Sequence, residues 1–547
     1  MRGTNSPLLS RLSLLLPERL GQHFLLRPFR QLEREHVDAW RDPAAARERA
    51  LAAILRTHRR SEIGQAYGFA EISSLEAYRA RVAPLEPRDH AFRTAVQRQL
   101  HGDGEALVAG PLLALLADGE GSAYPLGGDG LVCWRHHELS IQRMVLARVP
   151  RVARGAFVEL LPAHADVDDP LAPLSPDAAR ARLGLSSNTL PAWLFTVADD
   201  ELRLELLLRL AIEQRVTALR APTPGALVLL ARTLAAAAPR LLEALATGRQ
   251  LVGAELPDAV ARRIARRKPA RGRAEKLEAA ARARGYLDPR DVWPELSVLI
   301  CPTSGSAAAA AKRLPEHYGP LPVLDPGLEH AAGLVGEPFW SDRAVGALPR
   351  VQHSLVELYD DGERPLADQR VEIGAQLDVL LTSHRGCYRQ RLLHRVEVVG
   401  RDPQGPRIAV ASRRAETLSL GPTGALLVER QVRGAALAAA REAGIGLVGF
   451  ELGLLRLPTP LERARATPPP ESKPGDDNKP GFFARLIGRG RSARARAAQS
   501  PRIDDTLTGK PVLSWTVETV RELDPAAALA LLQALENELR QRSPSYA

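Results

Sequence analysis

Apolar positions recur with a helical period in three stretches of this chain. In residues 42–58, Ala, Leu and Ile return to one face, and 200–215 and 226–247 repeat the pattern, so each is predicted as a helix. Between and after them lie short apolar runs rich in Val, Leu and Ile, bounded by Gly, Pro or charged turns. The runs at 106–116, 155–161, 296–301, 354–359, 376–382 and 395–400 read as strands. Long helices interleaved with strands along the whole chain predict an α/β fold with layered sheets. No internal repeat of solenoid period is visible.

Two segments depart from this pattern. Residues 468–510, with PPPESKPGDDNKPGFF followed by ARLIGRGRSARARAAQSPR, have the Pro, Gly and polar content of a disordered insertion. Its arginines between Arg485 and Arg502 lack interleaved aromatics beyond Phe482 and Phe483, so a solvated loop is expected rather than a specific nucleic-acid surface. At the start, residues 1–26 are leucine-rich, but Arg11, Pro17, Glu18 and Arg19 break every run short of a signal-peptide core or membrane span. A packed amphipathic helix is expected there, and a cytoplasmic protein overall. A second basic run, 261–273, reads as one face of a surface helix ending near Pro269.

The 547 residues, 45% hydrophobic and 25% charged, have the balance of an ordinary globular chain of several domain-sized units. The net charge of +10 is a mild bias at this length. More telling, only six of the 74 basic residues are lysines (Lys268, Lys276, Lys312, Lys473, Lys479 and Lys510), so long regions lack a compact ammonium able to reach a single phosphate oxygen. Cys133, Cys301 and Cys387 lie far apart and without C-x-x-C spacing, which suits a reducing compartment and argues against a disulfide framework. His136-His137-Glu138, and His384, Cys387 and His394, are read as packed or solvated side chains rather than metal ligands, since no i, i+4 histidine pair supports them. Thr303-Ser304-Gly305-Ser306 lacks the closing Gly-Lys of a phosphate loop and is read as a turn into a serine-capped alanine helix at 307–312.

Several co-linear segments resemble the auxin-responsive promoter (Gretchen Hagen) family of acyl-acid amido synthetases, a branch of the acyl-adenylate-forming enzymes. They are HRRSEIGQAYGFAEISSLEAYRARVAPLEPRDH at 58–90, HGDGEALVAGP with LLALLADGEG after it, LRLAIEQRVTALRAPTPGALVLLARTL at 208–234, VWPELSVLICPTSGS at 292–306, and ALENELRQRSPSYA at 534–547. The sharpest is LTSHRGCYRQRLLHRVEVVGRDPQGPRIAVASRRAETLSL at 381–420, similar to the family's Gly-Leu-Tyr-Arg-Tyr-Arg block. The likeness spans 41–547 without the insertion. It implies a large N-terminal adenylate-forming domain, 1–413, and a small α+β C-terminal lid, 414–547, interrupted at 468–510. It also implies use of ATP and magnesium to adenylate a carboxylic acid and pass the acyl group to an amino acid.

Carried over residue by residue, the resemblance implies catalytic roles for Glu329 and Arg391, nucleotide contacts from Gly119, Ser122, Tyr388, Arg389 and Arg413, and magnesium at Glu329. The chain also departs from the pattern at four chemical positions. The phosphate loop reads Ala117-Asp118-Gly119-Glu120-Gly121-Ser122, with most hydroxyls gone and two carboxylates that would repel a triphosphate. Asp325 and Leu328 stand where the family has a stacking Tyr and a Ser. Leu393-His394 replaces a ribose-binding Gly-Asp, and Leu426 replaces the lid lysine. The expectation is therefore an acid–amino acid ligase with impaired adenylation. The alternative is a pseudoenzyme of the same fold that binds ligands or a protein partner.

Overall fold

A computed structural model describes residues 26–456 and 511–542 apart from 87–88, 103, 119–121, 164–170, 250–257, 265–266, 339–345, 361–364, 366–370, 404, 414–417, 420–425, 428, 446 and 520–522. The insertion expected at 468–510 with its arginine cluster, Gly119, and residues 1–25 of the expected amphipathic helix lie outside the described residues. The chain divides into two compact units, Met1–Ala411 and Ser412–Ala547.

The first helix of the pattern, α1 (Pro43–His58), opens on Asp42, whose carboxylate accepts the Ala45 amide, with Pro43 just inside. Its apolar stripe Leu51, Ile54 and Leu55 packs with Phe69, Tyr78 and Val82. Strands β1 (Ala114–Ala117) and β2 (Ala123–Leu126) pair antiparallel. The long α2 (Gly128–Arg148) follows, then β3 (Ala156–Glu159) and β4 (Pro173–Leu174), the latter parallel to β1. After α3 (Pro176–Arg182) and α4 (Asp200–Ala211), β5 (Val216–Arg220), β6 (Val298–Ile300) and β7 (Val323–Leu324) complete a parallel sheet in the order β3-β5-β6-β7. Strand alternation decides its two faces. Leu219 and Leu299 join a core with Leu206, Leu208 and Leu210 of α4, whereas Ala218, Val298, Ile300 and Leu324 meet Ile141 and Val145 of α2.

The expected helix over 226–247 is two helices, α5 (Pro224–Ala236) and α6 (Ala238–Thr247), bent by 68°. The break falls before Pro239, which has no amide to continue the ladder. Both bury leucines in the core, and among the described residues no single helix is long and apolar enough to cross a membrane. The basic run at 261–273 divides between α7 (Asp258–Ile264) and α8 (Arg271–Arg284), so its last arginines begin a helix instead of following one. At 304–311 a 3-10 turn leads into the alanine helix, and Ser304 makes no capping bond. It is Thr303, through its amide and hydroxyl, that binds the Asp325 carboxylate.

Two short strands, β8 (Glu329–His330) and β9 (Gly333–Leu334), precede a four-stranded sheet of β10 (Ser354–Tyr359), β11 (Gln376–Ser383), β12 (Cys387–Asp402) and β13 (Gly405–Arg413). Its inward residues Val356, Val379, Leu381 and Val396 share a core with Leu115, Leu116, Tyr124 and Trp134. The run expected as a strand at 106–116 is extended only from Ala114, because the Gln99 amide satisfies the Leu107 and Val108 backbone groups in place of a ladder. The second unit holds the short pair β14 (Leu418–Ser419) and β15 (Leu426–Leu427), then α9 (Glu429–Glu442) and the antiparallel pair β16 (Leu447–Arg456) and β17 (Pro511–Thr519). It ends with α10 (Pro525–Arg542), packed on α9 through Ala436, Ala439, Leu531 and Leu535.

Close approach at Gly155 lets β3 enter the parallel sheet, since a Cβ there would stand 2.2 Å from the Arg215 carbonyl oxygen. Gly155→Ala is expected to destabilise the first unit by about 1–3 kcal/mol, read as a lower urea midpoint at unchanged slope.

Candidate active site

The ends of β1 and β2, where the phosphate loop is expected, are tied together by Asp118 and Ser122. Asp118 accepts the Ser122 amide at 3.1 Å, its own amide donates to the Ser122 carbonyl, and the Tyr124 hydroxyl points to its other oxygen at 3.5 Å. Ser122 is buried. Beyond this pair, rings from three distant segments pack edge to face: Tyr124 on His330 at 5.8 Å and His330 on His394 at 5.5 Å. The fold thus brings together β2, the Glu329 strand and His394, where the resemblance implies a ribose-binding aspartate. His394 is there as a packed ring.

Glu329 is on β8 with its side chain 19% exposed, and burial pushes its carboxyl up to about 7. Its Oε1 has no hydrogen bond; the nearest cation is Arg385, with Nη2 at 3.7 Å. Arg385 is itself buried, donates through Nη1 to the carbonyls of His330 and Ala331 at 2.9 and 3.1 Å, and lies 4.7 Å over the Trp134 ring. Among the described residues no group of three or more His, Cys, Asp or Glu side chains converges on one point. A divalent ion set against Glu329 would have one carboxylate and an adjacent guanidinium, so these residues do not fit magnesium.

Beneath this lies a buried ion network. Glu138 of α2 accepts Arg220 Nη1 at 2.5 Å and Nη2 at 3.1 Å and lies 3.3 Å from Arg180 of α3, which donates to Glu159 at the end of β3 at 2.9 Å. Burial alone would raise the Glu138 carboxyl, but Arg220 and Arg180 hold it down at about 2. His137 pairs with Arg350, which also donates to Glu337 at 2.7 Å. His137 and Glu138, expected to be packed or solvated, are buried, while Arg180, Arg220, Glu159 and Arg350 carry no recognisable spacing and gave no signal in the sequence.

The Tyr-Arg-x-Arg block is equally bound to the protein. The Tyr388 hydroxyl donates to the Leu107 carbonyl at 2.7 Å. Arg389, in the left-handed region at φ 53°, donates to the carbonyls of Val82 (2.7 Å) and Arg79 (3.1 Å), to the Tyr359 hydroxyl and to Glu357. Arg391 bridges Asp378 at 2.8 Å and Glu86 at 2.9 Å. Arg413 closes β13, and its side chain lies outside the described residues.

A further pair escaped the sequence reading. His58 Nδ1 accepts the Ala109 amide at 3.1 Å, so Nε2 must carry the proton it directs at His384 Nδ1, 3.2 Å away. His384 then presents an Nε2–H, and it lines a cavity of about 590 Å³ together with Glu35, Asp38, Asp42, Arg49 and His353.

Residues 33–117 and 172–323 match the family model described as the GH3 family N-terminal domain. Among solved structures, the chain is similar to a GH3.15 acyl acid amido synthetase, at 14% identity and TM-score 0.64 over 91% of this chain and 83% of that one. A second, AtGH3.15 acyl acid amido synthetase in complex with 2,4-DB, gives 16% identity and TM-score 0.63 over 77% of each chain. At these identities the likeness establishes the fold: a large N-terminal α/β domain and a smaller C-terminal one. No curated protein matches by sequence.

Burial depresses His58 to about 3, with the neighbouring His384 adding to the effect. The unfolded imidazole, near 6.5, binds a proton that the folded one refuses, so stability is present above about pH 6.5 and is lost as pH falls toward 3. His58→Gln, which retains an acceptor for Ala109 and a donor for His384, is expected to flatten that loss by up to about 1.4 kcal/mol per pH unit. Urea unfolding at pH 7 and pH 5 measures the difference.

Proposed function

We propose that this chain, which belongs to the GH3 family of acyl-adenylate-forming enzymes, is an acid–amino acid ligase by descent whose adenylation step is impaired. A carboxylic acid and an amino acid are its small-molecule ligands. ATP, when bound to such a fold, supplies the AMP group that activates the carboxylate for attack by an amine.

The observation that supports impairment is the engagement of Tyr388, Arg389 and Arg391 with carbonyls, carboxylates and a phenol of the protein itself. A guanidinium bound in this way cannot turn to a developing phosphate charge without leaving a buried acceptor unpaired. These three residues therefore hold β12 against residues 79–86 and 107, and Gly119, Ser122 and Arg413 are left as the nucleotide contacts of any residual activity. Asp118 adds a carboxylate at the loop, and Leu426 brings no charge from the second unit. Each lost donor of transition-state charge lowers a rate by about 10²–10³.

The role of 414–547 as a lid, the disorder of 468–510 and a cytoplasmic location, which suits three unpaired cysteines, belong to the same proposal. A second reading, a non-catalytic protein that binds an acid or amine, is favoured by the cavity at His384, which the altered nucleotide positions do not line.

The test is AMP release from ATP and magnesium with panels of carboxylic acids and amino acids. Release near background is expected, rising when Leu426→Lys restores a lid charge. Turnover in the ordinary range of about 1–10³ s⁻¹ by the unaltered chain would overturn impairment. Background release that Leu426→Lys leaves unmoved, together with acid binding in calorimetry, would favour the binding protein.

A further inference from the structure

Glu329 and Arg385 carry an arrangement that the ligase reading does not require. Arg385 cannot swing away: its Nη1 is held by two carbonyls of the β8–β9 turn, its guanidinium lies on Trp134, and its amide binds Ser383 Oγ at 3.1 Å. Its side chain is 3% exposed, so the charge is carried into the interior and needs a counter-charge there. The two carbonyls are neutral dipoles, and the carboxylate facing the guanidinium is Glu329, at 3.7 Å.

The surrounding charges nearly balance. Glu138, Glu159, Glu329 and the partly exposed Asp177, 3.6 Å from Arg180, are four carboxyl groups facing the three guanidiniums of Arg180, Arg220 and Arg385, and burial keeps Glu329 partly protonated. Adding a divalent ion would place two further positive charges beside a cation that cannot retreat. Removing Arg385 instead would leave Glu329 alone and open to a metal.

We infer that Arg385 is the resident cation of this site: a guanidinium of the chain stands beside Glu329 in place of a divalent ion, so the site is complete without metal. An anionic ligand reaching it, carboxylate or phosphate, meets an organic cation of fixed position. This rests on the reading of Glu329 as part of the acid- and nucleotide-handling face, but its test uses neither nucleotide nor acid and so fails separately from that reading.

The experiment is thermal unfolding of the full chain and of Glu329→Gln, Arg385→Gln and the double variant, each in chelator and in excess magnesium, with Mn²⁺ binding followed by its paramagnetic signal. Each single variant is expected to unfold about 2–4 °C lower, and the double variant no lower than Arg385→Gln, because one pairing is lost once. Magnesium is expected to leave the unaltered chain unmoved, and Mn²⁺ to gain a Glu329-dependent site only when Arg385 is replaced. Should Arg385→Gln fail to fold, Arg385→Lys keeps the charge and is expected to remain indifferent to magnesium. Two results overturn the inference: additive losses in the double variant, or magnesium stabilisation or Mn²⁺ binding by the unaltered chain that Glu329→Gln abolishes.

Discussion

The first unit is organised around the buried pairing of Glu138 with Arg220 and Arg180, and of Arg180 with Glu159. These four residues come from α2, the end of β5, α3 and the end of β3, so the network fixes where two helices meet the carboxyl ends of two parallel strands. Charges in such a place are stable only as a set. Removing one partner of a buried pair typically costs about 3–5 kcal/mol, because the other is left without compensation. The carboxyl ends of parallel strands are also where open α/β sheets place ligands. Here the region is occupied by protein charges that satisfy one another, and that constrains what else can bind.

The same logic extends outward. At the Tyr388–Arg391 block, side chains suited to a nucleotide face inward to β10, β11 and the segment from Arg79 to Glu86. At the ends of β1 and β2, the Asp118 carboxylate that would repel phosphate instead accepts the Ser122 amide. At β12, His394 packs edge to face on His330. Asp118, Asp325 and His394, which depart from the family pattern, each have a partner within the protein. A scaffold held by internal partners gains rigidity at the expense of groups free to meet a ligand.

The amino-acid order by itself determined the fold class and several of its elements, because these follow from local periodicity. The apolar stripe of 42–58, the runs at 155–161 and 354–359, and the helix at 200–215 each produced the expected element within a few residues. The same order carried the family likeness and showed which motif positions had changed. Local pattern failed where a single residue or a remote group overrode it. Pro239 divided one predicted helix, and Gln99 took over backbone groups that a strand would have paired.

Only tertiary structure decided what the charged and aromatic side chains do. Arg389 and Glu357 lie 32 positions apart, Glu138 and Arg220 lie 82 apart, and His58 and His384 lie 326 apart, so no window of sequence holds both members. Arg385 had no motif to announce it, and its place beside Glu329 comes from the turn between β11 and β12 meeting β8. A helix or strand is specified by neighbours along the chain, whereas the ionisation and reach of a buried group depend on neighbours in space. For that reason the sequence could name the family and its altered positions, and only the packed structure could show the partners that Asp118, His394 and the Tyr388–Arg391 block take within the protein.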